Sequence, residues 1–245
     1  MSADKMNIVN ASATNMHEWT PVPGLQIAVD GPSGSGKGTI ASLLAEAIGL
    51  PVLDTGLLYR FIGYSAMQEN DSLDSETAIL ALLDDCLKTM QWQPGGIVVN
   101  GDNINNRLRK EDVAAAASRV AVMPEVRKKL LYVQRDIAGH GCVMDGRDIG
   151  TVVLPDAQAK FFLTASLHER ARRRWAQLQG MDAEVSLDAT LHEIRERDTQ
   201  DAERTHAPLK QARDAVCIDS TTLRIDEVVD RMLVIMERRQ LIRQS

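Results

Sequence analysis

Short apolar or β-rich runs recur along the chain at 25–30, 52–54, 142–145, 160–164 and 216–219, and all but the fourth end in aspartate: Asp30, Asp54, Asp145 and Asp219. Each run is too short for a buried helix and reads as a strand. Helical patterns lie between them at 37–48, 56–69, 75–88, 112–122, 124–138, 166–179, 187–203 and 225–240. Gly49 is placed to end the first helix, Pro124 opens the fifth and Gly139 follows it. Continuous apolar strands alternating with helices predict βαβ units, hence an α/β fold with a five-stranded parallel sheet covered by helices.

One stretch breaks this rhythm. Residues 90–106 carry two β-like pieces around Pro94, Gly95 and Gly96, then Asn100-Gly101, a strong hairpin signal. They predict a small antiparallel sheet inserted between the second and third parallel strands.

Composition narrows the class. The chain has 245 residues, 44% of them hydrophobic and 25% charged, with a net charge of −6. This fits a soluble globular domain and disfavours bulk binding to nucleic acid or anionic membrane. No apolar run approaches the roughly 18 residues of a membrane span. Cys86, Cys142 and Cys217 are widely spaced, and the last two lie in apolar runs, so all read as buried free thiols of a cytoplasmic protein. Residues 1 to about 22 lack both the apolar core of a secretory signal and the Arg-rich pattern of a transit peptide. They read as a loosely ordered extension ahead of a single domain, 23–245.

The sharpest motif is Gly31-Pro32-Ser33-Gly34-Ser35-Gly36-Lys37-Gly38-Thr39, between a strand and a helix. That is the context of a phosphate-binding loop, whose glycines let backbone N–H groups wrap phosphate oxygens while a lysine adds charge at the β/γ position. Gly38 stands where the generic pattern has Ser or Thr, which leaves Thr39 to meet phosphate or Mg²⁺. The ending resembles nucleoside monophosphate kinases more than GTPases, and the base-reading motif of GTPases is absent.

Phosphoryl transfer between two anions needs cations on both sides, and arginine binds phosphate bidentately. Arg60 follows the second strand, and Arg147 with Asp148 follows the third; a strand-end ion pair is the alternative reading of either. The window 166–204 holds seven Arg and no Lys. Arg170 and Arg174 share a helical face, with Arg172 or Arg173 reading as a solvated one. Further on, Leu187, Leu191 and Ile194 give way to Arg197, Asp201 and Arg204 on nearly the same side. That pattern fits a helix bordering a polar cleft, with a salt-bridge ladder such as Glu193 with Arg197 as the alternative reading.

Together these motifs resemble bacterial cytidylate kinases over about 24–245. The resemblance runs through GPSGSGKGT at 31–39, DTGLLYR at 54–60, SRVAVMPEVR at 118–127 and DGRDIGTVVLPDA at 145–157. It continues through KFFLTAS at 160–166, ERARRR at 169–174, RERDTQDAER at 195–204 and APLKQARDAVCIDST at 207–221. Thr55 stands where some relatives have Ser.

The resemblance implies a P-loop NTPase fold with a monophosphate-binding insertion near 70–127 and a helical lid near 166–204. It implies transfer of the γ-phosphoryl group of ATP to CMP or dCMP with Mg²⁺, by a monomer. Residues 31–39 would hold ATP, with Thr39 toward the metal. Arg60, Arg147 and Arg204 would clamp the acceptor phosphate, beside Thr55 and Tyr59. Ser118, Arg127 and Asp201 would read cytosine, and Arg197 with Asp201 the sugar. Asp148 would position acceptor or metal, and Arg170 and Arg174 would close over ATP. Kinases for UMP, AMP or shikimate and a non-catalytic nucleotide sensor are the rival readings.

Overall fold

The computed structural model describes residues 19–69, 73–93, 96–180 and 185–245. In chain order these form β1 (Trp19–Pro21), β2 (Gln26–Asp30), α1 (Lys37–Ile48), β3 (Val52–Asp54), α2 (Thr55–Gln68), α3 (Glu76–Thr89), β4 (Met90–Gln93), β5 (Gly96–Val99), β6 (Asp102–Asn103) and α4 (Asn105–Leu108). Then follow α5 (Glu111–Val120), α6 (Pro124–Ala138), β7 (Cys142–Gly146), a π turn (Ile149–Val153), β8 (Ala159–Thr164), α7 (Leu167–Gln179), α8 (Leu187–Glu203), β9 (Val216–Asp219), α9 (Ile225–Arg238) and β10 (Ile242–Gln244).

The five apolar runs form one sheet, ordered β3-β7-β2-β8-β9. In it β2 runs parallel to β7 and to β8, and β8 parallel to β9. Because β2 has a later strand on each side, its carboxyl end is the switch point of the topology, where open α/β sheets bind ligands. This is the P-loop NTPase α/β fold.

The chain resolves into two compact units, 53–139 and, together, 16–52 and 140–245. In the second, Leu25 just before β2, Ile27 and Val29 of β2 and Val143 of β7 pack with Ile40, Leu44 and Ile48 of α1 and Val228, Met232 and Met236 of α9. Strands buried on both faces must read as apolar runs, which is why they are legible in the sequence. Helix α1 ends as expected at Gly49, whose φ of 68° lets its N–H reach back to Ala45 and Glu46.

Two expectations are corrected here. Residues 19–22, expected within the loose extension, are ordered: Trp19–Pro21 pairs antiparallel with β10 and Val22 donates to the Leu241 carbonyl at 2.9 Å. Residues 1–18 lie outside the described residues. Cys217 is exposed rather than buried, because β9 is an edge strand whose side chains alternate between core and solvent. Cys86 and Cys142 are buried, and burial pushes the Cys142 thiol up to about 12.

The first unit packs Ile62 and Ala66 of α2 on Ile79 and Leu83 of α3 and on Val126 and Leu130 of α6. Its inserted sheet is antiparallel, β4-β5-β6, turning at Asn100 (φ 52°) and Gly101 (φ 87°) as the Asn-Gly signal predicts. Pro94 and Gly95, expected at the other turn, lie outside the described residues. The window expected to be the monophosphate-binding insertion, 70–127, falls within this unit.

Helices α2 and α5 approach so closely that a Cβ on Gly63 would stand 3.0 Å from the backbone and Cβ of Ala116. Gly63→Val is expected to lower the unfolding free energy by about 1–3 kcal/mol through overpacking. Urea denaturation checks this, and an unchanged midpoint would show that α5 yields.

Candidate active site

The loop after β2 is built by constraints only glycine meets. Gly31 has φ 152°, and a Cβ there would lie 2.0 Å from the Leu163 carbonyl oxygen of β8. Gly34 (φ 74°) passes 2.8 Å over the Arg170 carbonyl by the same measure. The Ser35 hydroxyl donates to the Pro32 carbonyl at 3.0 Å. Lys37 folds back over the loop, its Nζ donating to Pro32 O at 2.8 Å and to Ser35 Oγ at 3.4 Å. Burial, then Arg147, lower the Lys37 pKa to about 7 against the pull of Asp145, Asp201 and Asp30.

The turn after β7 carries the next charges. The Arg147 Nε donates to Asp201 at 2.7 Å, and Arg204 reaches Asp148 at 3.4 Å and Asp201 at 3.7 Å. The Arg204 side chain is only 8% exposed and also donates from Nε to the Ala207 carbonyl. Burial alone would raise the Asp201 pKa, but Arg147, Arg204 and Arg197 together bring it below the usual carboxylate value. A guanidinium clamped by carboxylates keeps its orientation, and a phosphate can add to its remaining donors.

Helix α8 shows the ladder contact that its spacing allowed. Arg197 pairs with Glu193 at 3.5 Å, the ladder contact, while Asp201 and Arg204 one turn on join the buried network. On α7, Arg170 is 6% exposed. Its guanidinium donates to the Ser33 carbonyl at 2.9 Å and the Ala165 carbonyl at 3.0 Å, and meets Asp198 at 2.6 Å. It ties the phosphate loop to both helices of the window 166–204. Arg174 is half-buried. Of the pair of which one was expected on a solvated face, Arg172 is exposed beside Glu169, while Arg173 bonds Glu169 and both the hydroxyl and the carbonyl of Ser220.

The first unit gathers a second set of the expected residues. Arg60 of α2 donates to the Leu108 carbonyl at 2.8 Å, which fixes α4 against it. Arg127 of α6 lies 5.7 Å over the ring of Tyr59 and donates to the Ala121 carbonyl at 3.1 Å. The Ser118 hydroxyl donates to the Ala114 carbonyl at 3.1 Å, and Thr55 is buried at the start of α2.

Three buried or half-buried carboxylates escaped the motif reading. Asp198 holds Arg170. Asp145 is buried at the end of β7, its Oδ2 3.9 Å from where a Cβ on Gly38 would stand. Asp30 is 3% exposed and accepts the backbone N–H groups of Ile149 and Gly150, each at 2.7 Å. The recurrence of aspartate at strand ends was the signal for two of them. Thr39, expected toward the metal, is exposed in the first turn of α1, and the Asp145 carboxylate beside Gly38 is an oxygen donor of the kind Mg²⁺ takes, water and phosphate supplying the rest.

A glycine-rich phosphate loop at the switch point of this sheet, with Arg147 in the turn after the neighbouring strand β7 and the buried Arg170 on the helix after β8, defines a P-loop phosphotransferase. A family model described as cytidylate kinase matches residues 27–238. The cytidylate kinase of Vibrio cholerae is 47% identical over 225 residues, covering 91% of this chain and 98% of that one. That of Pseudomonas putida is 45% identical over 234 residues, covering 93% and 100%. The chain belongs to the cytidylate kinase family. It is an enzyme of nucleotide-dependent phosphoryl transfer, and among the described residues no helix is long and apolar enough to cross a membrane.

Burial pushes the Asp30 carboxyl up to about 6, Asp148 adding to the rise and the two backbone N–H groups and Lys37 opposing it. A raised folded-state pKa means stability that is full below the unfolded value and declines as pH rises through the folded one. Between pH 4 and 7 the protein is therefore expected to lose about 3 kcal/mol relative to Asp30→Asn, which does not titrate. Denaturation of both across that range checks it, and parallel profiles would contradict the shift.

Proposed function

We propose that the protein transfers the γ-phosphoryl group of ATP to CMP or dCMP, giving ADP with CDP or dCDP. The observation that carries this reading is the ion-pair network of half-buried Arg147 and Asp201 with buried Arg204 and Asp148, in the same unit as the phosphate loop. A sensor of one nucleotide needs only one phosphate site; this unit carries cations for two.

An oxygen of the acceptor phosphate attacks Pγ in line, and the bond from Pγ to the β,γ-bridging oxygen breaks as ADP leaves. That oxygen is already anionic, so no strong general base is needed. Catalysis rests on positioning and charge neutralisation. Residues Gly31 to Thr39 hold the ATP phosphates and Lys37 follows the transferred group. Its proximity to the phosphates restores the full charge that burial weakens. Mg²⁺ arriving with ATP would be held by Thr39 and Asp145 and would offset triphosphate charge.

Arg147 and Arg204 bind the acceptor phosphate, as does Arg60, with Thr55 and Tyr59 near the acceptor and Asp148 setting Arg204. Asp201 reads cytosine and, with Arg197, the sugar; Ser118 and Arg127 read cytosine. Arg170 and Arg174 belong to a lid over ATP. In that role Arg170 acts from its anchorage on Ser33 and Asp198, which supports it as the residue that joins lid to loop. The protein acts as a cytoplasmic monomer.

Cytosine is distinguished from uracil by its exocyclic amine and unprotonated ring nitrogen. A site paired to these leaves polar groups unsatisfied with uracil. Turnover of CMP, dCMP, UMP, AMP and dTMP with ATP and Mg²⁺ tests the reading. CMP and dCMP are expected to exceed UMP in kcat/KM by about a hundredfold. Comparable use of UMP would remove the cytosine assignment, and no nucleoside diphosphate from any acceptor would favour the sensor.

A further inference from the structure

The π turn after Asp148 begins with donors that have no partner in the turn itself. Its backbone bonds run from Val152 and Val153 to the Asp148 carbonyl and from Leu154 to Ile149, which leaves the first N–H groups, those of Ile149 and Gly150, to be satisfied from outside. Asp30 supplies both acceptors: Oδ1 takes Ile149 and Oδ2 takes Gly150, each at 2.7 Å. The carboxylate is planar and its two oxygens point along successive N–H groups. It therefore fixes the direction in which the chain leaves Asp148, and with it Arg147 and Asp148.

Two further observations bear on this clamp. Gly150 lies so close that a Cβ there would stand 3.3 Å from Asp30 Oδ2 and 3.2 Å from Lys160 Cδ. Lys160 does not compete for the carboxylate, because its ammonium bonds the Pro155 carbonyl and Asp214. Asp30 is also the last residue of β2, covalently joined to Gly31, the first residue of the phosphate loop. One side chain thus ties the phosphate loop to the turn that carries the acceptor-side charges.

We infer that Asp30 is a positioning residue for phosphoryl transfer, holding the Arg147–Asp148 turn in register with the phosphate loop so that the acceptor phosphate is presented to the γ-phosphoryl group. The inference rests on the proposed function and adds to it a residue that touches neither substrate. An ionised carboxylate kept in a buried site, where it costs stability, fits a functional rather than a stabilising role.

Asp30→Asn keeps the shape but aims an amide N–H₂ at one of the two backbone donors, so one bond is lost. Gly150→Ala disturbs the same clamp from the other side and leaves the Asp30 charge in place. For both, CMP and ATP affinities are read by calorimetry, kcat by a coupled assay, and folding by thermal unfolding. Asp30→Asn is expected to lower kcat and CMP affinity, by about tenfold in kcat/KM for CMP, with ATP affinity within about twofold and the fold intact. Gly150→Ala is expected to change the same parameters in the same direction, less steeply.

Unchanged CMP parameters in folded Asp30→Asn, or equal losses in ATP and CMP affinity, would overturn the inference. A loss in Asp30→Asn without any change in Gly150→Ala would overturn the clamp as its cause. Should Asp30→Asn not fold, Gly150→Ala alone decides, on the same split between CMP and ATP. Failure of the unaltered protein to bind or phosphorylate CMP would instead overturn the proposed function, and the inference with it.

Discussion

Positive charge must be held fixed where phosphate will arrive, before it arrives. Lys37, Arg147, Arg170 and Arg204 all belong to one unit of a chain whose net charge is −6, and each is buried or nearly so. Crowded cations repel one another and are poorly solvated when buried. The structure meets this with carboxylates and carbonyls: Asp201 for Arg147, Asp148 and Asp201 for Arg204, Asp198 for Arg170, and the Pro32 carbonyl for Lys37. The acidic excess of the composition is thus partly internal. It orients the arginines proposed to engage a substrate phosphate.

The sheet makes this arrangement possible. Strand β2 lies between β7 and β8, so the phosphate loop emerges beside the turn that carries Arg147 and Asp148 and is braced by Leu163 of β8. The side chains that complete the network come from α7 and α8, whose starts are set by Ser166 and Ser186 accepting backbone N–H groups of Glu169 and Ala189. Local capping therefore places Arg170, Asp198, Asp201 and Arg204 along their helices, and the sheet fixes what they meet.

The parts legible in the sequence are those whose cause is local. Apolar runs buried on both faces announce the five strands, the glycine pattern announces the phosphate loop, and Asn100-Gly101 announces the inserted sheet. The parts that escaped depend on distant partners. Strand β1 exists only because β10, over 220 residues away, pairs with it. The four-residue α4 is held by Arg60 from α2, and the π turn by Asp30 from β2. Cys217 looked buried because an edge strand and a central one share the same composition. Asp30 and Asp145 were visible as strand-ending aspartates, but spacing alone does not say which one clamps a turn and which faces the loop. An ion pair was the alternative reading of Arg147; that its partner is Asp201 of α8, and that Arg204 meets Asp148, needed the structure.

The central claim is that these carboxylates serve the acceptor site by orienting its arginines, although each brings a negative charge close to where a phosphate binds. The most direct test is the affinity of Asp148→Asn for CMP, measured by calorimetry without Mg²⁺ so that no metal role contributes. Loss of the anchor on Arg204 predicts binding weaker by about tenfold. Unchanged or tighter binding, as the simple removal of a negative charge beside a phosphate would give, would contradict the account.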